Sequence, residues 1–315
     1  MRAETMPAER PVLIMAGGTG GHVFPALAAA DCLRERGIPV AWLGARAGLE
    51  ATLVPKAGIP MEWLTRALWQ ARLILRRLQP RVILGMGGFV SGPGGIMARL
   101  LGIPLVVHEQ NAIAGLTNRL LARIAGQTLQ AFPNTFPPQR RAVTVGNPVR
   151  RIIAELPPPA ERFAGRHGPA RLLILGGSQG ALALNQRVPQ ALALLDAAER
   201  PEVWHQAGGQ LQDAAAQAYQ QTGITVRLTP FIDNMAEAYG WADLVLCRAG
   251  ALTIAELAAA GIGAVLTPFP FAVDDHQTAN ARFLEQGGAA LLIQQADLSA
   301  ERLAALLREL LPDRA

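Results

Sequence analysis

The stretch Val12-Leu13-Ile14-Met15-Ala16-Gly17-Gly18-Thr19-Gly20-Gly21-His22 decides the reading of the fold: a short apolar run, then a glycine cluster, then helical periodicity over residues 24–36. An apolar run of this length bounded by glycines is a buried strand feeding a helix. Glycine lets the backbone approach a phosphate, while the helix N-terminus behind it supplies N–H donors and the positive end of a dipole. The same order returns further on. The run 171–175 leads into Gly176-Gly177-Ser178-Gln179-Gly180-Ala181 and a helical pattern over 181–195.

Around these two anchors, short β-type runs at 40–43, 82–84, 105–108, 143–145, 244–247 and 264–267 alternate with helix-like segments such as 115–125. That alternation is the signature of βαβ units and a parallel sheet. Residues 147–160 interrupt it with Pro148 and Pro157-Pro158-Pro159 and read as a linker. The expectation is an α/β chain of two Rossmann-like, doubly wound domains, 1–150 and 151–315, with ligand bound where the carboxyl ends of the strands face a shared cleft. A length of 315 residues also exceeds what one core usually organises. Half the residues are apolar but only 5% are aromatic, so the core rests on helix faces and buried strands.

The formal charge of +5 favours an anionic partner, whether nucleic acid, acidic lipid or phosphate-bearing substrate, and does not choose among them. Two distant cysteines, Cys32 and Cys247, make neither a disulfide framework nor a zinc ribbon and fit a reducing cytoplasm. The start, 1–11, has mixed charge and the apolar run after it is too short for a signal-peptide core. The apolar stretch 257–273 is broken by Gly261, Gly263, Pro268 and Pro270, so a membrane would be met from the side.

The first glycine loop is not a dinucleotide fingerprint, because Val23 stands where the last glycine belongs and no acid follows the second strand at Leu43-Gly44-Ala45-Arg46. A second loop, Gly87-Gly88-Phe89-Val90-Ser91-Gly92-Pro93-Gly94, has the same backbone logic. Two anion-type loops in one domain fit a substrate with more than one phosphate; close packing alone would also account for the second. Glu256 lies one turn into the helix after Arg248-Ala249-Gly250, where a carboxylate can accept both hydroxyls of a ribose; the commoner role of such a residue is a solvated helix position, and spacing does not decide between them. None of the five histidines has metal-ligand spacing. His22 sits at a helix mouth where a base would be needed, and a capping or packing role is its alternative. Residues 66–78 form a basic amphipathic helix that either lies on an anionic bilayer or packs its apolar stripe on the sheet.

Taken in order, the strings 17–25, 85–94, 108–118, 146–150, 176–181, 231–235, 247–256 and 275–281 closely resemble the MurG family of GT-B glycosyltransferases. These are hexosyltransferases that move N-acetylglucosamine from UDP-N-acetylglucosamine to a lipid-linked muramoyl-pentapeptide in peptidoglycan synthesis, and so serve cell shape and division. The resemblance implies a nucleotide-sugar held mainly by the C-terminal domain and a lipid acceptor held by the N-terminal one. It implies donor contacts from Thr19, Gly20, Gly21, Asn111, Arg150, Ser178, Ile232, Ala251, Leu252, Thr253, Ile254, Ala255, Glu256 and Gln277. Gly18, Gly87, Gly88 and Ser91 would face the acceptor's pyrophosphate. It further implies inversion by single displacement with His22 as general base, no cofactor or metal, no nucleic acid, and a peripheral place on the cytoplasmic face of the inner membrane.

Two departures from the family pattern bear on membrane docking. The segment between Leu64 and Leu68 is shorter than the family's loop and helix there, and the sequence stops at Ala315 before the family's final helix. Rival readings are a GT-B transferase acting on another lipid or a soluble acceptor, and a UDP-sugar-binding module without catalysis. An NAD-dependent oxidoreductase is disfavoured by the broken fingerprint.

Overall fold

The computed structural model describes residues 10–18, 20–64, 68–177 and 180–311, and the chain forms two compact units, Met1–Pro148 and Val149–Ala315. In the N-terminal unit the strands are β1 Val12–Met15, β2 Val40–Gly44, β3 Met61–Trp63, β4 Val82–Gly85, β5 Leu105–Glu109, β6 Gln127–Gln130 and β7 Val143–Thr144. Its helices are α1 Gly20–Glu35, α2 Glu50–Lys56, α3 Leu68–Leu78, α4 Ser91–Leu100 and α5 Leu116–Leu121. The sheet runs β3-β2-β1-β4-β5-β6-β7, and its pairs are all parallel.

Alternate residues of β1 supply two separate cores. Leu13 and Met15 pack with Leu43, Ile74, Leu75 and Val107 on one face, and Val12 and Ile14 with Val23, Ala26, Trp42 and Val54 on the other. A strand covered on both faces shows no polar alternation, which is why it reads as a continuous apolar run. The chain leaves β1 for β2 and β3 on one side and crosses to β4 on the other, so the order reverses between β1 and β4. At such a switch point the strand ends splay and leave room for ligand.

The C-terminal unit repeats the plan with β8 Arg171–Leu175, β9 Glu202–Gln206, β10 Arg227–Thr229, β11 Leu244–Cys247, β12 Ala264–Leu266 and β13 Ala290–Leu292. Its helices are α6 Arg151–Ala154, α7 Pro159–Phe163, α8 Leu182–Ala193, α9 Gln212–Thr222, α10 Met235–Trp241, α11 Ala251–Ala260, α12 His276–Gln286 and α13 Ala300–Leu310. The parallel order is β10-β9-β8-β11-β12-β13, reversing between β8 and β11.

The segment read as a linker, 147–160, instead carries α6 and the start of α7, with Pro159 at the first turn, where its missing N–H costs nothing. α7 is fastened to its unit by arginines. Arg162 donates to the carbonyls of Tyr239 and Ala260, and Arg166 to those of Gly240, Trp241 and Ala242 and to the Asp243 carboxylate. These are the carbonyls that the ends of α10 and α11 leave unsatisfied.

Candidate active site

In the N-terminal unit the two glycine loops emerge side by side from β1 and β4. The Met86 N–H donates to the Met15 carbonyl at 2.9 Å, and the Ser91 hydroxyl lies 2.8 Å from the carbonyls of both Met15 and Gly87. Ser91 is fully buried, so the hydroxyl expected to meet the acceptor's pyrophosphate stitches the loops together instead. Gly88 has φ +83°, and a Cβ there would stand 2.4 Å from the Gly17 carbonyl oxygen. Only glycine permits that approach of one loop to the other.

Beneath the first loop lies a residue that the sequence did not single out. Glu50, at the start of α2, is 0% exposed and accepts the N–H of Gly18 at 3.0 Å and of Ala45 at 3.2 Å. A Cβ at Gly17 or Gly48 would fall 2.5 or 2.3 Å from its carboxylate oxygens. One carboxylate therefore sets the height of the loop, and the flanking glycines make room for it.

α1 begins at Gly20, within the glycine cluster and ahead of the expected start at residue 24, so His22 sits in its first turn. The imidazole is half-buried against Gly87, where a Cβ would come within 2.8 Å of Cε1 and Nδ1. Nδ1 lies 2.9 Å from Oε1 of the buried Gln110, whose Nε2 is 3.1 Å from His108 Nδ1. Burial lowers the pKa of His108, against opposing contributions from the Gly146 carbonyl and Glu109. Glu109, buried beside it, accepts from the Asn111 and Gly115 N–H groups and from the Asn118 side chain, and so shapes the turn presenting Asn111. Gly20 is half-buried, and Gly18 and Gly21 are exposed.

In the C-terminal unit Ser178 lies outside the described residues, as Thr19 does in the other unit. Just after Ser178, Gly180 has φ +79° and no room for a Cβ, which would stand 2.2 Å from the Ala207 carbonyl oxygen. At the end of β11, Gly250 caps α11 in an extended conformation. The N–H groups of Leu252 and Thr253 thus open the helix as donors with no carbonyl inside it. Ile254 and Ala251 are buried, while Leu252, Thr253 and Ala255 are half-buried.

Glu256 is not a solvated helix residue. It is 4% exposed, takes Arg150 Nε and Nη2 on Oε1 at 3.1 and 2.8 Å, and accepts the Tyr239 hydroxyl on Oε2 at 3.1 Å. Burial first and the Glu256 charge second push the Tyr239 phenol well above its usual pKa, so it stays a donor. Arg150, expected at the diphosphate, and Glu256, expected at the ribose, are thus brought together. Ile232 is buried in the loop after β10. Gln277, in the first turn of α12, accepts the Phe269 N–H at 2.9 Å. Two residues of positive φ, Asp274 (54°) and Asp275 (51°), turn the chain into that helix.

Two parallel doubly wound units, each with a glycine turn and a helix N-terminus at its switch point, define the GT-B class of nucleotide-sugar glycosyltransferases. The glycosyltransferase family 28 N-terminal domain matches residues 12–66 and 63–130, and the family 28 C-terminal domain matches 171–315. The N-terminal match comes in two pieces that overlap at residues 63–66. UDP-N-acetylglucosamine–N-acetylmuramyl-(pentapeptide) pyrophosphoryl-undecaprenol N-acetylglucosamine transferases of Nitrosococcus oceani and Alkalilimnicola ehrlichii are 58% and 57% identical. The alignments cover 93% and 96% of this chain and 87% and 90% of those proteins. The crystal structure of Acinetobacter baumannii MurG superposes with a TM-score of 0.83 at 40% identity, covering 97% of this chain and 93% of that one. The chain belongs to glycosyltransferase family 28 and, within it, to the MurG family of N-acetylglucosamine transferases.

Proposed function

We propose that this protein transfers N-acetylglucosamine from UDP-N-acetylglucosamine to the muramoyl 4-hydroxyl of lipid I, with inversion, to form lipid II. Family membership at this identity supports donor and acceptor alike. The observation that carries the chemistry is His22, held by Gln110 at the mouth of α1 beside two interlocked glycine loops.

In the proposed displacement His22 takes the proton of the 4-hydroxyl as its oxygen attacks the anomeric carbon, and the bond from that carbon to the UDP oxygen breaks. The departing diphosphate is stabilised by the opening N–H groups of α11, by Arg150 and by the Ser178 turn, so the mechanism calls for no metal. Glu256 takes the ribose hydroxyls and the Ile232 backbone the uracil. Thr19, Gly20, Gly21, Asn111 and Gln277 contact the sugar and diphosphate, and Gly18, Gly87 and Gly88 the acceptor's pyrophosphate.

The reading includes a peripheral place on the anionic cytoplasmic face of the inner membrane. Helix α3 supports it: Ala71, Ile74 and Leu75 are buried in the core, while Trp69 is 72% and Leu73 47% exposed beside Arg72 and Arg76. Among the described residues no helix is long and apolar enough to cross a membrane.

Incubation with radiolabelled UDP-N-acetylglucosamine and a short-chain lipid I analogue is expected to yield labelled disaccharide-lipid, with UDP-glucose as the donor control. Donor binding without transfer would replace this reading with a binding module, and transfer to a lipid lacking muramoyl-peptide with another GT-B enzyme. His22→Ala should lower kcat roughly 10²–10⁴-fold with donor affinity kept.

A further inference from the structure

The polar chain behind His22 has a direction that can be read atom by atom. At its far end His108 Nε2 lies 2.9 Å from the Gly146 carbonyl oxygen. A carbonyl only accepts, so Nε2 of His108 carries the hydrogen and its Nδ1 is a bare acceptor. Burial keeps this ring neutral, with one hydrogen to place.

In the middle, Gln110 Nε2 lies 2.9 Å from the His108 backbone carbonyl oxygen and 3.1 Å from His108 Nδ1. Both neighbours accept, so the amide nitrogen must face them and spends one hydrogen on each. The side-chain orientation of Gln110 is thereby fixed without reference to His22. Its remaining atom, Oε1, is purely an acceptor and stands 2.9 Å from His22 Nδ1. The Gln110 backbone carbonyl is also engaged, by the Asn147 side chain at 3.0 Å. Glu109, the charged neighbour of this chain, has its oxygens turned to Asn111, Gly115 and Asn118.

We infer that Gln110, oriented by His108, is a positioning residue that holds His22 as the Nδ1–H tautomer and leaves Nε2 as the atom that takes the proton. The inference rests on His22 being the general base and adds which nitrogen acts and what sets it. Gly87 completes the mount by closing the ring face on which a Cβ would collide. The arrangement differs from a His–carboxylate pair in one respect: its orienting group is an uncharged amide oxygen.

The test is nitrogen NMR of the full-length protein labelled at histidine, with His22 assigned by the signals missing in His22→Gln. His22 should show a protonated Nδ1 and an unprotonated Nε2 at pH 8. Gln110→Leu should abolish that preference and lower kcat about 10–100-fold, with KM for UDP-N-acetylglucosamine nearly unchanged.

A wild-type spectrum with the hydrogen on Nε2 overturns the inference, even if no Gln110 variant folds. A Gln110→Leu protein with wild-type kcat and tautomer does the same. Failure of the base assignment itself looks different: His22→Ala would then turn over at the wild-type rate, whatever the tautomer.

Discussion

Replacing Glu50 by glutamine tests whether one buried carboxylate sets the geometry of the first glycine loop. Each oxygen of Glu50 now receives a backbone N–H, from Gly18 and from Ala45. The amide keeps one acceptor and turns an NH2 toward the other donor. Hydrogen bonds to charged groups contribute about 1.5–3 kcal/mol each, and a buried donor left facing a donor costs about 1–3 kcal/mol. The expected loss is therefore about 2–4 kcal/mol, with no water to compensate at a side chain that is 0% exposed. Because the freed N–H belongs to a loop, part of the loss should appear as displacement of Gly18 and the α1 mouth rather than as unfolding. Urea unfolding followed by circular dichroism, beside steady-state kinetics with a soluble lipid I analogue, separates the two. The expected result is a lowered midpoint together with raised acceptor KM and reduced kcat, while UDP affinity of the C-terminal unit holds. A Glu50→Gln protein with wild-type midpoint and wild-type kinetics would refute the bracing role.

Gly88→Ala should be at least as damaging, since positive φ alone costs about 1–2 kcal/mol in a non-glycine residue and the Cβ meets a carbonyl that cannot step aside; wild-type stability and acceptor KM would contradict it. Glu256→Ala should weaken UDP binding, measured by calorimetry, at least about tenfold and cost about 1–3 kcal/mol of stability by removing the acceptor of the buried Tyr239 hydroxyl. Unchanged UDP affinity would remove Glu256 from the ribose site. Burial lowers His205 from 6.5 to about 3, so the unfolded chain takes up this proton first. The contribution is whole above pH 6.5 and is lost as pH falls toward 3, about 2 kcal/mol of it by pH 5. His205→Phe should flatten that part of the stability profile, and an unaltered slope would show that the ring titrates normally.

The strands that begin each unit were legible because parallel strands covered on both faces carry unbroken apolar runs, as in Val12–Met15 and, after Arg171, in the last four residues of Arg171–Leu175. β6, Gln127–Gln130, was not, since three of its four residues are polar; nor was β9, whose His205 and Gln206 are buried polar groups. β3 and β10, three residues each, carry Glu62 and Arg227 and so show no apolar run, whereas β12, equally short, is apolar throughout and legible. Pro157-Pro158-Pro159 reads as a coil signal although its last proline opens a helix. Of the site, glycine spacing pointed to both loops and family pattern to Glu256. Spacing could not pair Gln110 with His22, 88 positions earlier, or place Glu50 under Gly18. Their only local trace was the acid opening the helix after Gly48-Leu49, which many surface helices share.

Helix α4 is made of residues that isolated helices avoid: Gly92, Gly94 and Gly95 with Pro93 among its first five. Relative to alanine the glycines forfeit about 1 kcal/mol each. In exchange α4 lies where a Cβ at Gly94 would be 2.2 Å from Met15 Sδ and one at Gly95 2.6 Å from Leu121 Cδ2. Such a segment has no reason to coil before β1 and α5 are in place to receive it. During refolding it should therefore dock late, and truncations on its buried side, such as Met97→Ala, should speed unfolding far more than they slow refolding. The nascent chain thus passes through a stage in which the Gly87–Ser91 elbow has no ceiling.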